Sequence, residues 1–406
     1  MPENAKTPEI RFAGFTDAWE QRRLDSVFDP IPNNTLSRAD LNYKSGKIKN
    51  VHYGDILIKY GAVTDCRAEE IPFITGGEVA DYKSQLLRDG DVLFADTAED
   101  ETVGKATEIA GIGDGFIVSG LHTMACRPNV NMASGYLGYY LNSSSFHHQL
   151  LSLMQGIKVL SVSRTNLYKT TLTYPASEQE QSQIGATFAS LDRLVALHRR
   201  EHDKTVNIKK AMLEKMFPKD GADKPEIRFA GFTDAWEERA VFELADRYDN
   251  LRTPITASDR VPGSTPYYGA NGIQDYVEGF THDGEFILIA EDGANDLKNY
   301  PVQYINGKVW VNNHAHVLQS KQGIADNRFL MYAVQQTNIE PFLVGGGRAK
   351  LNADVMMKIR FHVPALKEQV QIGQLIIAMS DLITLHRREL EKLQNMKSAL
   401  LEKMFV

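Results

Sequence analysis

The chain has 406 residues, 43% of them hydrophobic and 24% charged, and carries a net charge of −7. That length exceeds what one small core holds and that composition excludes wholesale disorder, so two to four folded domains are expected. The charge excludes a basic nucleic-acid-binding domain: residues 21–176 hold 15 Lys/Arg against 17 Asp/Glu, and residues 238–364 hold 12 against 15.

Any DNA contact must therefore come from local clusters or from a surface shared with another subunit. No apolar run reaches membrane-spanning length and the first residues, MPENAKTPEI, are polar, which gives a cytoplasmic location and no membrane partner as the expectation. Cys66 and Cys126 match no CxxC spacing, which speaks against a disulfide framework or a zinc site.

In chain order, the first feature is PEIRFAGFTDAWE, which begins at Pro8 and returns unchanged at Pro225. Thirteen repeated residues, one of them tryptophan, mark two copies of one structural unit. Phe12, Phe15 and Trp19, with Phe229, Phe232 and Trp236 in the second copy, are expected to pack each opening segment against the end of a long helix.

Residues 21–176 are mixed α/β (α+β) with a strand bias, DGDVLFA from Asp89 and GFIVSGLH from Gly115 being turn-plus-strand signals. Catalytic motifs are scarce. AEDET at Ala98 is an acidic loop tip before it is a metal site, and GIGDG at Gly111 is a hairpin turn without the strand-turn-helix context of a dinucleotide fingerprint. No GxxxxGK[ST] phosphate loop and no Asn/Asp-Pro-Pro-Tyr sequence of an amino-methyltransferase occurs in the chain. QGIKVLSVSR at Gln155 brings Lys158 and Arg164 to the end of this region, either as a phosphate-contacting loop or as a plain hinge.

A helical block follows. Ile184, Phe188, Leu191, Val195, His198 and so on to Met216 fall at alternating spacings of four and three, the seam of a coiled coil, and Pro218 stops it. Its partner is its own duplicate, since QIG, LHRRE and LEKMF recur with one offset of 188 residues. The duplicate carries Ile372, Ile376, Met379, Ile383, His386 and on to Met404 in the same register, and only Gly185 and Gly373 interrupt the two blocks. Because the first block leads from one variable region to the other, the second must lead back, and antiparallel packing is expected. His198 and His386 hold equivalent seam positions, as a register-fixing polar pair or, more plainly, as two half-solvated histidines.

The second variable region, residues 238–364, carries DGEFILIA from Asp283 and GKVWVNNHAHVL from Gly307. Asp89 to His122 is 33 residues and Asp283 to His314 is 31, as expected of two divergent copies of one fold. HAH at His314 offers two ligands from one strand face but shows no third, so a metal is not expected. YYGANG at Tyr267 sets two aromatics and an Asn beside glycines, and GGGRAK at Gly345 is a basic loop just before the second helix. Lys158, Arg164, Lys169, Tyr268, Asn271, Lys298, Arg348 and Lys350 form the candidate DNA-binding set.

The opening P-E-[IL]-R-F-x-G-F-x-x-x-W motif, the duplicated helical blocks and the P…EQ…I run into each helix (Pro175, Glu180, Gln181; Pro364, Glu368, Gln369) resemble the specificity subunit of type I restriction-modification enzymes. YYGANG and VNNHAH look like segments of that family's target recognition domains. The resemblance implies target recognition domains at residues 1–176 and 218–364, separated by conserved spacer helices at 177–217 and 365–406 that form an antiparallel, pseudo-twofold coiled-coil spacer. It implies that each domain reads half of a split double-stranded DNA site, and that seam residues Ile184, Phe188, Leu191, His198, Ile372, Ile376, Met379 and His386 serve the spacer and partner interface. It also implies two methyltransferase (M) subunits and restriction/translocase (R) subunits as partners, with S-adenosylmethionine, ATP and Mg on those chains and no catalysis on this one. Two alternatives stay open: a stand-alone methyltransferase with a fused recognition domain, and a duplicated protein-binding scaffold.

Overall fold

Each helical block lacks proline and is rich in Leu, Lys, Glu, Gln and Arg, which lose little side-chain freedom in a helix. Both form single 38-residue helices, Glu178–Lys215 and Leu366–Lys403, in this computed structural model, which describes residues 7–219, 222–345 and 349–406. Every seam position from Ile184 to Met216 and from Ile372 to Met404 is buried or half-buried. The seam runs through the polar middle as well, where Thr205 is buried and His198, His202 and His386 are half-buried.

The chain divides into two compact units, one running up to His198 and including Glu389–Val406, the other Arg199–Arg388. Each unit thus holds the start of one long helix and the end of the other. In the first, Phe188 stacks on Phe405 with ring centres 5.6 Å apart, and one turn further along Asp192 pairs with Lys397. Advancing along one helix means retreating along the other, so the packing is antiparallel. In the second, Met216 and Phe217 share a core with Ile372 and Ile376. The MF of each LEKMF leaves its helix as an apolar plug, Phe405 against Tyr136 and Tyr140, Phe217 against Trp236 and Phe329.

The opening motif ties these ends together. In the first unit Ile10 N–H donates to Lys403 O at 2.9 Å, closing the end of the second helix, and in the second unit Ile227 N–H donates to Lys215 O at 2.9 Å, closing the end of the first. The next residue then clamps the start of the other helix: Arg11 Nε and Nη2 lie 2.7 and 2.9 Å from the two oxygens of Glu180, and Arg228 repeats this on Glu368 at 2.7 and 2.8 Å. Trp19 and Trp236 are buried beneath, as expected, with Phe12 and Phe229 packed at their edges. The glutamine of each EQ is equally fixed, Gln181 accepting from Ala133 N–H at 2.8 Å and Gln369 from Asp326 N–H at 3.1 Å. One turn on, the helical glycine allows close approach: a Cβ at Gly373 would sit 2.8 Å from Asp326 Oδ1, and one at Gly185 3.3 Å from Tyr136 N.

Beyond this frame, each variable region is bracketed by a short antiparallel pair, Glu20–Arg23 with Thr171–Tyr174 and Glu237–Ala240 with Arg360–Val363. The first region then builds a five-stranded sheet in the order Phe28–Ile31, Thr123–Pro128, Val92–Ala95, Ala106–Ala110, Val63–Asp65, with only the last pair parallel. The second builds Ala245–Arg247, Ala315–Ser320, His282–Ala290, Val302–Val311, Pro262–Gly269, again with that last pair parallel, and adds Gly272–Val277 at the edge. The two regions are copies of one sheet. The strand predicted at GFIVSGLH is not the counterpart of GKVWVNNHAHVL, however. Ile117–Ser119 pairs parallel with Lys49–Val51 in a separate four-stranded sheet, and Ala106–Ala110 takes the place of Val302–Val311. The greater length of the first copy is spent on this extra sheet.

Within the first sheet Glu108 is buried and accepts from Gly135 and Gly138 N–H at 2.6 and 3.1 Å; burial pushes its carboxyl up to about 6. A folded-state pKa above the unfolded one means that the fold favours the protonated acid, so the contribution of Glu108 to stability is fully present below about pH 4.5 and is lost as pH rises through about 6, a fall of about 2 kcal/mol. Glu108→Gln is expected to flatten that fall, measured as urea midpoints between pH 4.5 and 6.5. Arg11→Ala leaves the buried Glu180 charge unpaired and should destabilise the first unit by about 3–5 kcal/mol. Arg228→Ala should do the same to the second, each read as a lowered denaturation midpoint.

Candidate nucleic-acid interface

The central strand of each sheet ends at the same structural point. Ala95 pairs with Thr123 and Ala290 with Ala315; the next residue, Asp96 or Glu291, donates its N–H to the carbonyl of His122 at 3.1 Å or of His314 at 2.8 Å. Both histidines are held by a carboxylate, His122 Nδ1 lying 3.0 Å from Asp96 and His314 Nδ1 2.6 Å from Asp292. A hairpin lies alongside each pair. Gln155 and Ser161 exchange two backbone hydrogen bonds around the tip that carries Lys158, and Leu160–Ser161 pairs with Thr97–Ala98. In the second unit Leu343–Val344 pairs with Lys350–Leu351, and Lys350 bridges to Asp292.

The second unit brings YYGANG and VNNHAH together. Tyr267 and Tyr268 pair parallel with Trp310 and Val311, and Ala270-Asn271 forms the turn between Gly269 and Gly272. Asn271 locks that turn to the loop after the central strand, donating to Gly293 O at 2.9 Å and accepting from Asn295 N–H at 3.0 Å. Asn312 Oδ1 accepts from His314 N–H at 2.8 Å. Three loops distant in sequence thus form one polar rim.

The candidate residues distribute unevenly around these rims. Lys158 is exposed at its hairpin tip and Lys298 is exposed in the loop that Asn271 holds. Tyr268 is half-buried, and burial raises its phenol. Arg164 is turned inward to Ala125 O at 3.1 Å, and Lys169 lies 3.0 Å from Asn166 Oδ1. Lys350 is paired with Glu291 at 2.9 Å, which holds its ammonium above the usual range. Arg348 lies outside the described residues. The seam residues Ile184, Phe188, Leu191, Ile372 and Ile376 are buried and Met379 is half-buried.

The second histidine of HAH, His316, is buried with Asp249 at 2.7 Å from Nδ1 and Leu351 O at 2.8 Å from Nε2. Asp249, Glu291 and His316 present ligand atoms within 4.8 Å of one another. Arg252 lies 2.7 Å from Glu291 and 3.5 Å from Asp249, and with Lys350 it neutralises both carboxylates. The donors are spent on one another, as a network that ties residue 249 and the second hairpin to the sheet. Sequence reasoning missed the His122–Asp96 pair, although the matched spacing from each DG turn to its histidine pointed to that position.

The model of the type I restriction modification DNA specificity domain matches residues 16–206 and 233–395. The chain belongs to that family. A putative type I restriction enzyme specificity subunit of Haemophilus influenzae is 46% identical over 146 residues, 36% of this chain and 38% of that protein, so the match spans little more than a third of that relative. A putative specificity subunit of Methanocaldococcus jannaschii is 23% identical over 427 residues, 98% of this chain and 95% of that protein. The crystal structure of the S subunit of the M. genitalium type I restriction-modification system shares the fold, with a TM-score of 0.67 at 15% identity over 98% of this chain and 99% of that one. Specificity subunits are non-catalytic, and this chain is one. Among the described residues no helix is long and apolar enough to cross a membrane.

Asn271→Ala removes both hydrogen bonds that close the second rim. The Asn295 amide should then exchange on the order of tenfold faster, at about 1 kcal/mol per lost bond, with the sheet amides unchanged by hydrogen-exchange mass spectrometry.

Proposed function

We propose that each sheet domain reads one half of a bipartite DNA site, that the two long helices set the spacing between the halves, and that they dock the methyltransferase subunits of a type I restriction-modification complex. The domains are those at residues 1–176 and 218–364, and the helices those at 177–217 and 365–406. Adenine methylation from S-adenosylmethionine and ATP- and Mg-dependent translocation by R subunits belong to the partner chains. The observation that carries this reading is the duplication itself, two sheets of identical strand order whose connecting loops differ in length and side chains. A shared frame with divergent rims is what two readers of different sequences require. Thirty-eight residues at 1.5 Å each give a spacer of roughly 57 Å, enough to serve half-sites about one turn, roughly 34 Å, apart.

The helices also support two docking sites of one kind. Leu197 and Leu385, equivalent residues of the two LHRRE repeats, are 52% and 53% exposed, and Leu194 and Leu382, equivalent again, are exposed one turn before. Apolar side chains held out at duplicated positions beside Arg199–Arg200 and Arg387–Arg388 suit two copies of the same partner surface.

Assembled with its methyltransferase partner and given a randomised DNA library, the chain should direct adenine methylation to two fixed blocks separated by an unspecified spacer; methylation with no split consensus refutes the reading. Leu197→Asp and Leu385→Asp should each cost one methyltransferase subunit, counted as complex mass by light scattering.

A further inference from the structure

Among the described residues, both rims carry a histidine–carboxylate pair, with the two histidines at equivalent positions and the carboxylates offset by one residue, since Glu291 is the counterpart of Asp96 and Asp292 follows it. His122 with Asp96 and His314 with Asp292 stand at the same end of the same central strand, each beside a hairpin that runs along it. The supporting backbone is also repeated: Val162 N–H donates to Asp96 O at 2.9 Å, and Leu351 N–H to Glu291 O at 2.7 Å. The loops around these points differ in length and sequence, so the pair has outlasted the drift of its surroundings.

His122 is held where packing gives it no reason to be. Its φ of 54° is the one positive value at a non-glycine among the described residues, a region that side chains with a Cβ disfavour. The side chain is 45% exposed and belongs to no apolar cluster. Its ring meets Tyr53 edge-on with centroids 5.4 Å apart, and Thr97 Oγ1 lies 3.3 Å from Nδ1. With Nδ1–H directed at Asp96, the ring nitrogen left to act is Nε2, which donates to an anion when the ring carries a proton on both nitrogens. A cation stands in the adjoining hairpin, Lys158, which is exposed at its tip.

A contact that reads a base has no reason to recur in a domain reading other bases. One that recurs addresses what every duplex presents, the phosphate backbone. Resting on the DNA-reading role proposed above, we propose that His122, oriented by Asp96, donates from Nε2 to a DNA phosphate and fixes the register of the first domain on the duplex without reading sequence, and that His314 with Asp292 is its counterpart in the second.

The test uses the full chain assembled with its methyltransferase partner and a duplex containing its own methylation site. His122→Asn removes the imidazole while keeping a residue that tolerates positive φ. Binding should weaken about three- to tenfold, the dependence of log Kobs on log salt should become shallower by about one, and the methylation consensus should not change. Asp96→Asn, which keeps the ring and loosens its orientation, should shift affinity in the same direction by less. An altered base preference in either half-site, unchanged affinity and slope in both variants, or a loss that simply follows a lowered Tm overturns the phosphate role. A wild-type complex that methylates without any split consensus instead removes the DNA-reading role itself, which is a different result from a normal wild-type consensus with an inert His122→Asn.

Discussion

The fold depends on one interaction made twice, the buried two-pronged contact between an arginine of the opening motif and the glutamate that begins a long helix. Arg11 and Glu180 are 169 residues apart, Arg228 and Glu368 140 apart. Each arginine follows a residue whose amide caps the far end of the other helix, so two adjacent residues hold a helix start and a helix end side by side. A buried ion pair adds little net stability over an apolar replacement. What it supplies is selectivity: a charge at Glu180 tolerates only the one geometry that pairs it, and a helix slipped by one residue would bury a bare carboxylate. The thirteen repeated residues are the means of fixing that register in both copies.

With the ends fixed this way, the sheets between can drift. Each variable region leaves and returns through a short antiparallel pair beside the helix start, so the lengths between those brackets do not disturb the frame. The first copy accordingly carries an additional four-stranded sheet and the second a longer hairpin, while five strands keep the same order and the same single parallel pairing. The polar rim sits at the end of the central strand, where the loops of the two copies differ in length and in side chains.

The long helices were legible because a buried stripe imposes a period, and spacings of four and three mark it even where His198, Thr205 and Lys209 replace hydrocarbon. The antiparallel direction followed from connectivity. The sheet was legible only in part. DG turns and alternating apolar runs located the central strands, yet Ile117–Ser119 reads as the more apolar segment while Ala106–Ala110 carries Thr107 and Glu108, so the local pattern favoured the wrong neighbour for Val92–Ala95. The site was least legible. Arg164 and Lys350 are cations by sequence, but carbonyl oxygens engage the first and Glu291 the second, partners brought close by chain segments tens of residues away. The Arg11–Glu180 clamp was hidden for the same reason, although its motif was the most visible in the chain.

The acidic charge balance fits the same division of labour. Much of the acid is already used within the protein: Glu180 and Glu368 in the clamps, Asp91 on Arg127, Asp249 and Glu291 on Arg252, Asp96 and Asp292 on their histidines. Counting formal charge therefore misjudges what a surface offers, because a carboxylate that spends its field on an internal cation or ring orients that group more than it repels an approaching anion. Net charge describes the whole chain; what an approaching partner meets is set locally, as at the exposed Lys158 of its hairpin, the turn locked by Asn271 and the His122 ring held by Asp96.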